Sequence, residues 1–124
     1  MKIEFSPPDI TEREIEAVTK TLRSGWITTG PKTKEFEREI GAYLGTNKVV
    51  CLNSATAALE LALRILDIGP GDEVITTPYT YTASASVIDH VGAKIVMVDI
   101  EDEDLEMDYD KVKEVITPKT KAII

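Results

Sequence analysis

Two runs rich in β-branched residues, Glu73-Val74-Ile75-Thr76-Thr77 and Lys94-Ile95-Val96-Met97-Val98-Asp99, are separated by a polar aromatic loop and a short stretch of helix-forming residues. Strand, loop, helix, strand is the repeating unit of a parallel sheet, because the chain must be carried back before a second strand can pair in the same direction. Gly69-Pro70-Gly71-Asp72 turns the chain into the first run, Pro78 ends it, and Gly92 closes the helix predicted over 83–91. Upstream, Lys48-Val49-Val50-Cys51-Leu52 reads as a strand buried on both faces. A helix follows in which Ala55, Ala58, Leu59, Ala62, Leu63 and Leu66 recur at helical spacing, apolar nearly all round and therefore predicted to be largely buried. Downstream, Asp108 caps a helix whose inner face is Val112, Val115 and Ile116, and Lys121-Ala122-Ile123-Ile124 opens a further strand. The pattern predicts one piece of one α/β domain, with parallel strands separated by helices and ligands gathering at the carboxyl ends of the strands.

Ahead of the strand predicted over 48–52 the chain reads as two helices. Thr11-Glu12-Arg13-Glu14 has the form of a capping box, Ile15, Val18 and Leu22 share a stripe, and Gly25 supplies a left-handed cap, so a helix is predicted over 11–24. Pro31 suits the first turn of a second helix, on which Phe36, Ile40, Tyr43 and Leu44 form the inner face before Gly45 ends it. Between them lies Gly25-Trp26-Ile27-Thr28-Thr29-Gly30-Pro31, carrying the one tryptophan of the chain. Its indole either docks on the core or forms a wall facing a ligand.

Composition narrows the function. No apolar run approaches the roughly 20 residues that span a bilayer, which predicts no membrane role. Met1-Lys2-Ile3-Glu4-Phe5-Ser6 lacks the regions of a secretory signal, and the single cysteine, Cys51, reads as an apolar filler; a cytoplasmic setting is expected. The formal charge of −8 argues against a nucleic-acid footprint. The acidic run over 99–108 has irregular spacing and no glycine at the sixth position of a calcium loop, so it reads as a solvated connection and no metal site is predicted.

The chemistry concentrates where strand becomes helix, at Asn53-Ser54-Ala55-Thr56. The first amides of a helix have no partner within it and carry the positive end of the dipole, so a dianionic phosphate fits there, with small side chains to admit it and the Thr56 hydroxyl as a further donor. An ordinary N-cap is the other reading of Ser54 or Asn53, and the residues alone leave both open. The loop Tyr79-Thr80-Tyr81-Thr82 follows the next strand, at the same edge. Phosphate anchor and tyrosine together suggest a phosphorylated planar cofactor, held at the helix start while Tyr81 or Tyr79 stacks on its ring. Lys94, Lys111, Lys113, Lys119 and Lys121 sit at strand edges, exposed helix faces or turns, and none has the setting of a Schiff-base lysine. His90, near the end of its helix, is read as a favourable charge at the dipole rather than a catalytic base.

Four blocks in order, Ser24-Gly25-Trp26-Ile27-Thr28-Thr29-Gly30-Pro31, Asn53-Ser54-Ala55-Thr56-Ala57-Ala58-Leu59, the stretch from Gly71 to Ala85, and Ile116-Thr117-Pro118-Lys119-Thr120-Lys121-Ala122-Ile123-Ile124, resemble the DegT/StrS sugar aminotransferase family. The resemblance covers essentially every residue here, but only about the amino-terminal third of a family member. It implies the amino-terminal part of the large domain of a fold-type I, pyridoxal-phosphate-dependent aminotransferase. Such an enzyme, usually a homodimer, moves an amino group from glutamate to a keto group of a nucleotide-linked sugar. Carried over, Ala55 and Thr56 cradle the phosphate with Ser54 beside them, Tyr81 stacks on the pyridine ring, and Trp26, Thr28 and Thr29 border cofactor or substrate. The resemblance puts the Schiff-base lysine and the aspartate that pairs with the pyridine nitrogen beyond Ile124. It also implies that strands pairing with the first one are missing, so that sheet edges and apolar helix faces are expected to lie uncovered. The tryptophan loop and the Ser54-Ala55-Thr56 anchor resemble most the branch that aminates carbon 4. A 3-aminotransferase or sugar dehydratase of the same fold, and a non-catalytic phosphate-binding or regulatory domain, stay open as alternatives.

Overall fold

The structure is a computed structural model describing residues 6–124, so the reading of Met1 to Phe5 lies outside the described residues. It divides into two compact units, Met1–Cys51 and Leu52–Ile124.

The first unit holds two helices, α1 (Glu12–Arg23) and α2 (Pro31–Leu44). The capping box forms: Arg13 N donates to Thr11 Oγ1, and Thr11 N donates to Glu14 Oε2 at 2.6 Å. The Thr11 hydroxyl and amide hold the Glu14 carboxyl below its ordinary value. Gly25 and Gly45 end the two helices with positive φ of 73° and 70°, as expected of left-handed caps. Past Gly45 the chain doubles back along α2. Thr46 N donates to Gly41 O, and a Cβ at Gly41 would sit 2.6 Å from Thr46 O, so only glycine allows this return.

The strand predicted over 48–52 does not form. Val50 is 72% exposed, Cys51 is half-buried rather than buried, and the Cys51 amide donates to Glu37 Oε1 at 3.0 Å. A strand exists only where a neighbour takes its backbone groups; here a carboxylate takes one, and no described strand lies alongside. The stripes read as inner faces are open as well: Ile15, Val18 and Leu22 on α1, and Phe36, Tyr43 and Leu44 on α2, are all exposed.

The second unit contains α3 (Ala55–Ile65), β1 (Glu73–Thr76), α4 (Ala83–His90), β2 (Lys94–Met97), α5 (Tyr109–Val115) and β3 (Thr120–Ile123). The sheet is parallel throughout in the order β2-β1-β3, with Val74 opposite Ile95 and Ala122. All four residues of β1 are buried, as a central strand covered on both faces requires. Val74 packs into one layer with Leu63, Val87, Ile88 and Val91; Ile75 packs into the other with Val98 and Val112. Thr76 falls on the Val74 face by the alternation of side chains along a strand. It is fully buried, and its Oγ1 has no hydrogen-bond partner among the described residues.

At the amino edge, Glu73 ties all three strands together. Its carboxylate accepts from Lys94 Nζ at 2.8 Å and from Thr117 Oγ1 at 2.7 Å, while its amide donates to Lys119 O. Lys94 first, then Thr117, holds that carboxyl below its ordinary value despite the burial. The acidic connection folds into turns closed by an antiparallel bridge between Ile100 and Met107, and Asp108 caps α5 by accepting from the amides of Asp110 and Lys111. Helix α3 departs from expectation. Only Leu63 is buried, and Leu61, Ile65 and Leu66 are exposed. Its substantial packing is on α4 alone, so one side is covered and the rest of its apolar surface has no partner.

Candidate functional site at the carboxyl edge of the sheet

Helix α3 runs into β1 through the Asp67 to Asp72 turn, and α4 carries the end of β1 back to the start of β2. The carboxyl-terminal parts of the two helices meet near the amino edge, where Arg64 Nη2 reaches His90 O. Their starts, at Ser54 and Thr82, therefore both lie toward the carboxyl edge, as the sequence order implied.

At the start of α3, Ser54 has extended backbone and its Oγ accepts from Ala57 N at 3.1 Å, while its carbonyl accepts from Ala58 N. The cap takes one orphan amide. Those of Ala55 and Thr56 point out of the same turn and have no acceptor among the described residues. Thr56 is half-buried, and its hydroxyl likewise makes no described hydrogen bond. Ser54 thus caps the helix, and the amides it leaves free face outward with the positive end of the dipole.

Before α4, Tyr79 N donates to Thr77 Oγ1, Ser84 N donates to Tyr81 O, and Thr82 O accepts from Ala85 N and Ser86 N. These bonds tighten the loop and leave the Tyr81 ring 80% exposed. Ser54, Ala55, Thr56 and Tyr81 share one edge of the second unit. Trp26, Thr28 and Thr29 form a cluster of their own in the first. There Trp26 Nε1 donates to Thr29 O at 3.1 Å and Trp26 N donates to Ser24 Oγ. The indole covers Gly30 so closely that a Cβ on that residue would sit 2.0 Å from Nε1. Trp26 is 55% exposed, so it docks on its own loop rather than on a core, and with Lys20, Ile27, Thr28 and Lys32 it lines a shallow groove.

Three of the lysines named in the sequence are held by carboxylates. Lys94 is bound to Glu73 at the opposite edge, and Lys111 and Lys113 are pushed up by their partners Asp108 and Asp110, which favours the protonated, non-nucleophilic form. No group of three or more His, Cys, Asp or Glu among the described residues could hold a metal ion. No described helix is long and apolar enough to cross a membrane.

One group escaped the reading of the sequence. Glu60 on α3 accepts from Arg64 Nε and Nη2 at 2.9 and 2.7 Å, and its second oxygen lies 3.0 Å from His90 Nδ1 on α4. Arg64, then His90, holds the Glu60 carboxyl below its ordinary value. The Glu60 and Arg64 spacing was visible as a helical i, i+4 pair. His90, thirty residues on, carried no local mark.

A parallel sheet flanked by helices, with a free helix start and an open tyrosine at the carboxyl ends of its strands, defines an α/β protein. Comparison with known proteins narrows this. Residues 8–124 match the DegT/DnrJ/EryC1/StrS aminotransferase family, and the chain belongs to that family. The spore coat polysaccharide biosynthesis protein SpsC of Bacillus subtilis is 48% identical over 97% of this chain and 31% of its own length. The UDP-4-amino-4-deoxy-L-arabinose–oxoglutarate aminotransferase of Shewanella sediminis is 46% identical over the whole chain and 33% of its own length. Among solved structures, the PMP form of Spr1654 of Streptococcus pneumoniae, described as a sugar aminotransferase, superposes with a TM-score of 0.91 at 67% identity, over 98% of this chain and 31% of that one. The fold expected from the sequence, parallel strands separated by helices as in pyridoxal-phosphate aminotransferases, is the fold found. The chain spans about a third of the length of these relatives.

Proposed function

We propose that these residues are the phosphate-binding portion of a pyridoxal-phosphate-dependent aminotransferase that transfers the amino group of glutamate to a keto group, at carbon 4, of a nucleotide-linked sugar for polysaccharide or amino-sugar synthesis. The observation that carries the reading is the pair of amides, Ala55 and Thr56, left without acceptors at a helix start on the edge that also presents Tyr81. These groups fit the cofactor. A phosphate needs convergent donors and a positive dipole end, and a pyridine ring needs an open aromatic face. When bound, the cofactor supplies an electron sink and a carrier for the nitrogen. The Ala55 and Thr56 amides, with the Thr56 hydroxyl, hold its phosphate; Ser54 keeps the helix start rigid; Tyr81 covers the ring. In the first unit, Trp26 bonds to the Thr29 carbonyl and so fixes its own loop.

The reading makes both units part of one large domain. The nucleophilic lysine and the carboxylate for the pyridine nitrogen come from sequence outside these residues, in a cytoplasmic homodimer. Support comes from relatives whose names specify sugar aminotransferases and from solved forms of Spr1654 with PLP and PMP. The test is a titration of the isotopically labelled chain with pyridoxal phosphate. The amide resonances of Ala55 and Thr56 should move, those of α5 should not, and no Schiff-base absorbance should develop. Shifts confined to other segments, or a Schiff-base band from this chain, refute the assignment.

A further inference from the structure

The start of α3 is only as well placed as α3 itself, and α3 has one substantial neighbour in its unit, α4. The apolar part of that seam, around Leu63, Val87, Ile88 and Val91, excludes water but is not directional. The polar part is directional. Glu60 divides its two oxygens between Arg64 of its own helix and His90 Nδ1 of α4, and Arg64 Nη2 reaches back to the His90 carbonyl at 3.4 Å. Two side chains of α3, Glu60 and Arg64, thus reach His90, the last residue of α4. Ala55 lies five residues before Glu60, about 7 Å along the axis, so a change of rotation at the pin is passed rigidly to the amides.

We propose that the Glu60, Arg64 and His90 cluster is a register pin: it fixes α3 against α4 and so sets the Ala55 and Thr56 amides in register with Tyr81. Glu60 and His90 are then positioning residues for any ligand that spans both helix starts. The inference rests on the cofactor reading of that edge. It makes a distinction that general stabilisation does not. A ligand held by α3 alone is indifferent to the pin, whereas one that touches both helices depends on it.

Two probes separate these cases. Inorganic phosphate needs only the α3 amides; pyridoxamine 5′-phosphate adds the ring and, having an amine in place of the aldehyde, binds without forming a Schiff base. In His90→Leu and Glu60→Ala, affinity for pyridoxamine 5′-phosphate is expected to fall about three- to tenfold, while that for phosphate stays within about twofold. His90→Gln, which keeps a side-chain donor for Glu60, should recover most of the loss and serves as the reporting variant should Glu60→Ala not fold. Equal losses for both probes would reduce the cluster to a stabilising contact and overturn the proposal, as would no loss for either. A wild-type protein that binds neither probe would instead overturn the cofactor reading itself.

Discussion

Replacing Thr76 with valine is expected to stabilise the second unit. Thr76 is completely buried in the central strand, and its Oγ1 has no hydrogen-bond partner among the described residues. A buried hydroxyl without a partner costs about 1–3 kcal/mol on the scale of protein substitutions. Valine has nearly the same shape, suits a strand, and replaces that hydroxyl with a methyl group, so packing against the Val74 layer is preserved. Allowing for effects on the unfolded chain, Thr76→Val should gain about 1–2 kcal/mol, with a rise in melting temperature of about 4–6 °C for each kcal/mol. Thr76→Ser is the control. It keeps the hydroxyl, loses the methyl and should destabilise by about 1 kcal/mol. Urea and thermal unfolding of the three proteins, followed by far-ultraviolet circular dichroism, give the comparison. If Thr76→Val is destabilised by about 1 kcal/mol or more, the hydroxyl has a buried polar partner and the argument is wrong.

Two other expectations follow from the geometry. Gly30→Ala puts a Cβ where the Trp26 indole lies, so the indole must leave and Nε1 loses Thr29 O; its indole N–H should exchange with solvent much faster than in the parent, and unchanged exchange would refute the close approach. Acid should loosen the protein by removing carboxylate contacts. Glu14, Glu60, Glu73 and Asp108 all have carboxyl groups held below their ordinary values by hydrogen bonds or cations, so their contributions are present above the ordinary carboxylate range, near pH 4, and are lost as pH falls through the lowered values. Stability measured from pH 7 down to pH 2 should therefore be flat at first and then decline, and a rise on acidification would contradict these pairings.

Elements whose instructions are local were legible in the sequence. The capping box at Thr11, Pro31 at the start of α2, the glycines after three helices and the Asp108 cap each depend on residues a few positions apart, and each formed where expected. What failed depended on distant partners. The run over 48–52 has the composition of a buried strand, yet a strand is a relation between two segments, and no described residues supply the second. Helix α3 is apolar nearly all round, which says that it can be buried and not by what; only its α4 side is. At the candidate site, the free amides followed from the rule that helix starts carry orphan donors. The tie from Glu60 to His90 crosses thirty residues and follows from no rule of spacing. Trp26 illustrates the same limit, since an indole in a glycine-bounded loop can pack on a core or on its own turn, and this one packs on its own turn.

The order β2-β1-β3 puts the strand made first in the middle, between partners made later. During synthesis, β1 can therefore zip to β2 once β2 has followed α4 out of the ribosome, closing a loop less than half as long as the one that later brings in β3. A ribosome-bound chain halted just past β2 would already carry a two-stranded nucleus with one open flank, waiting for its third member.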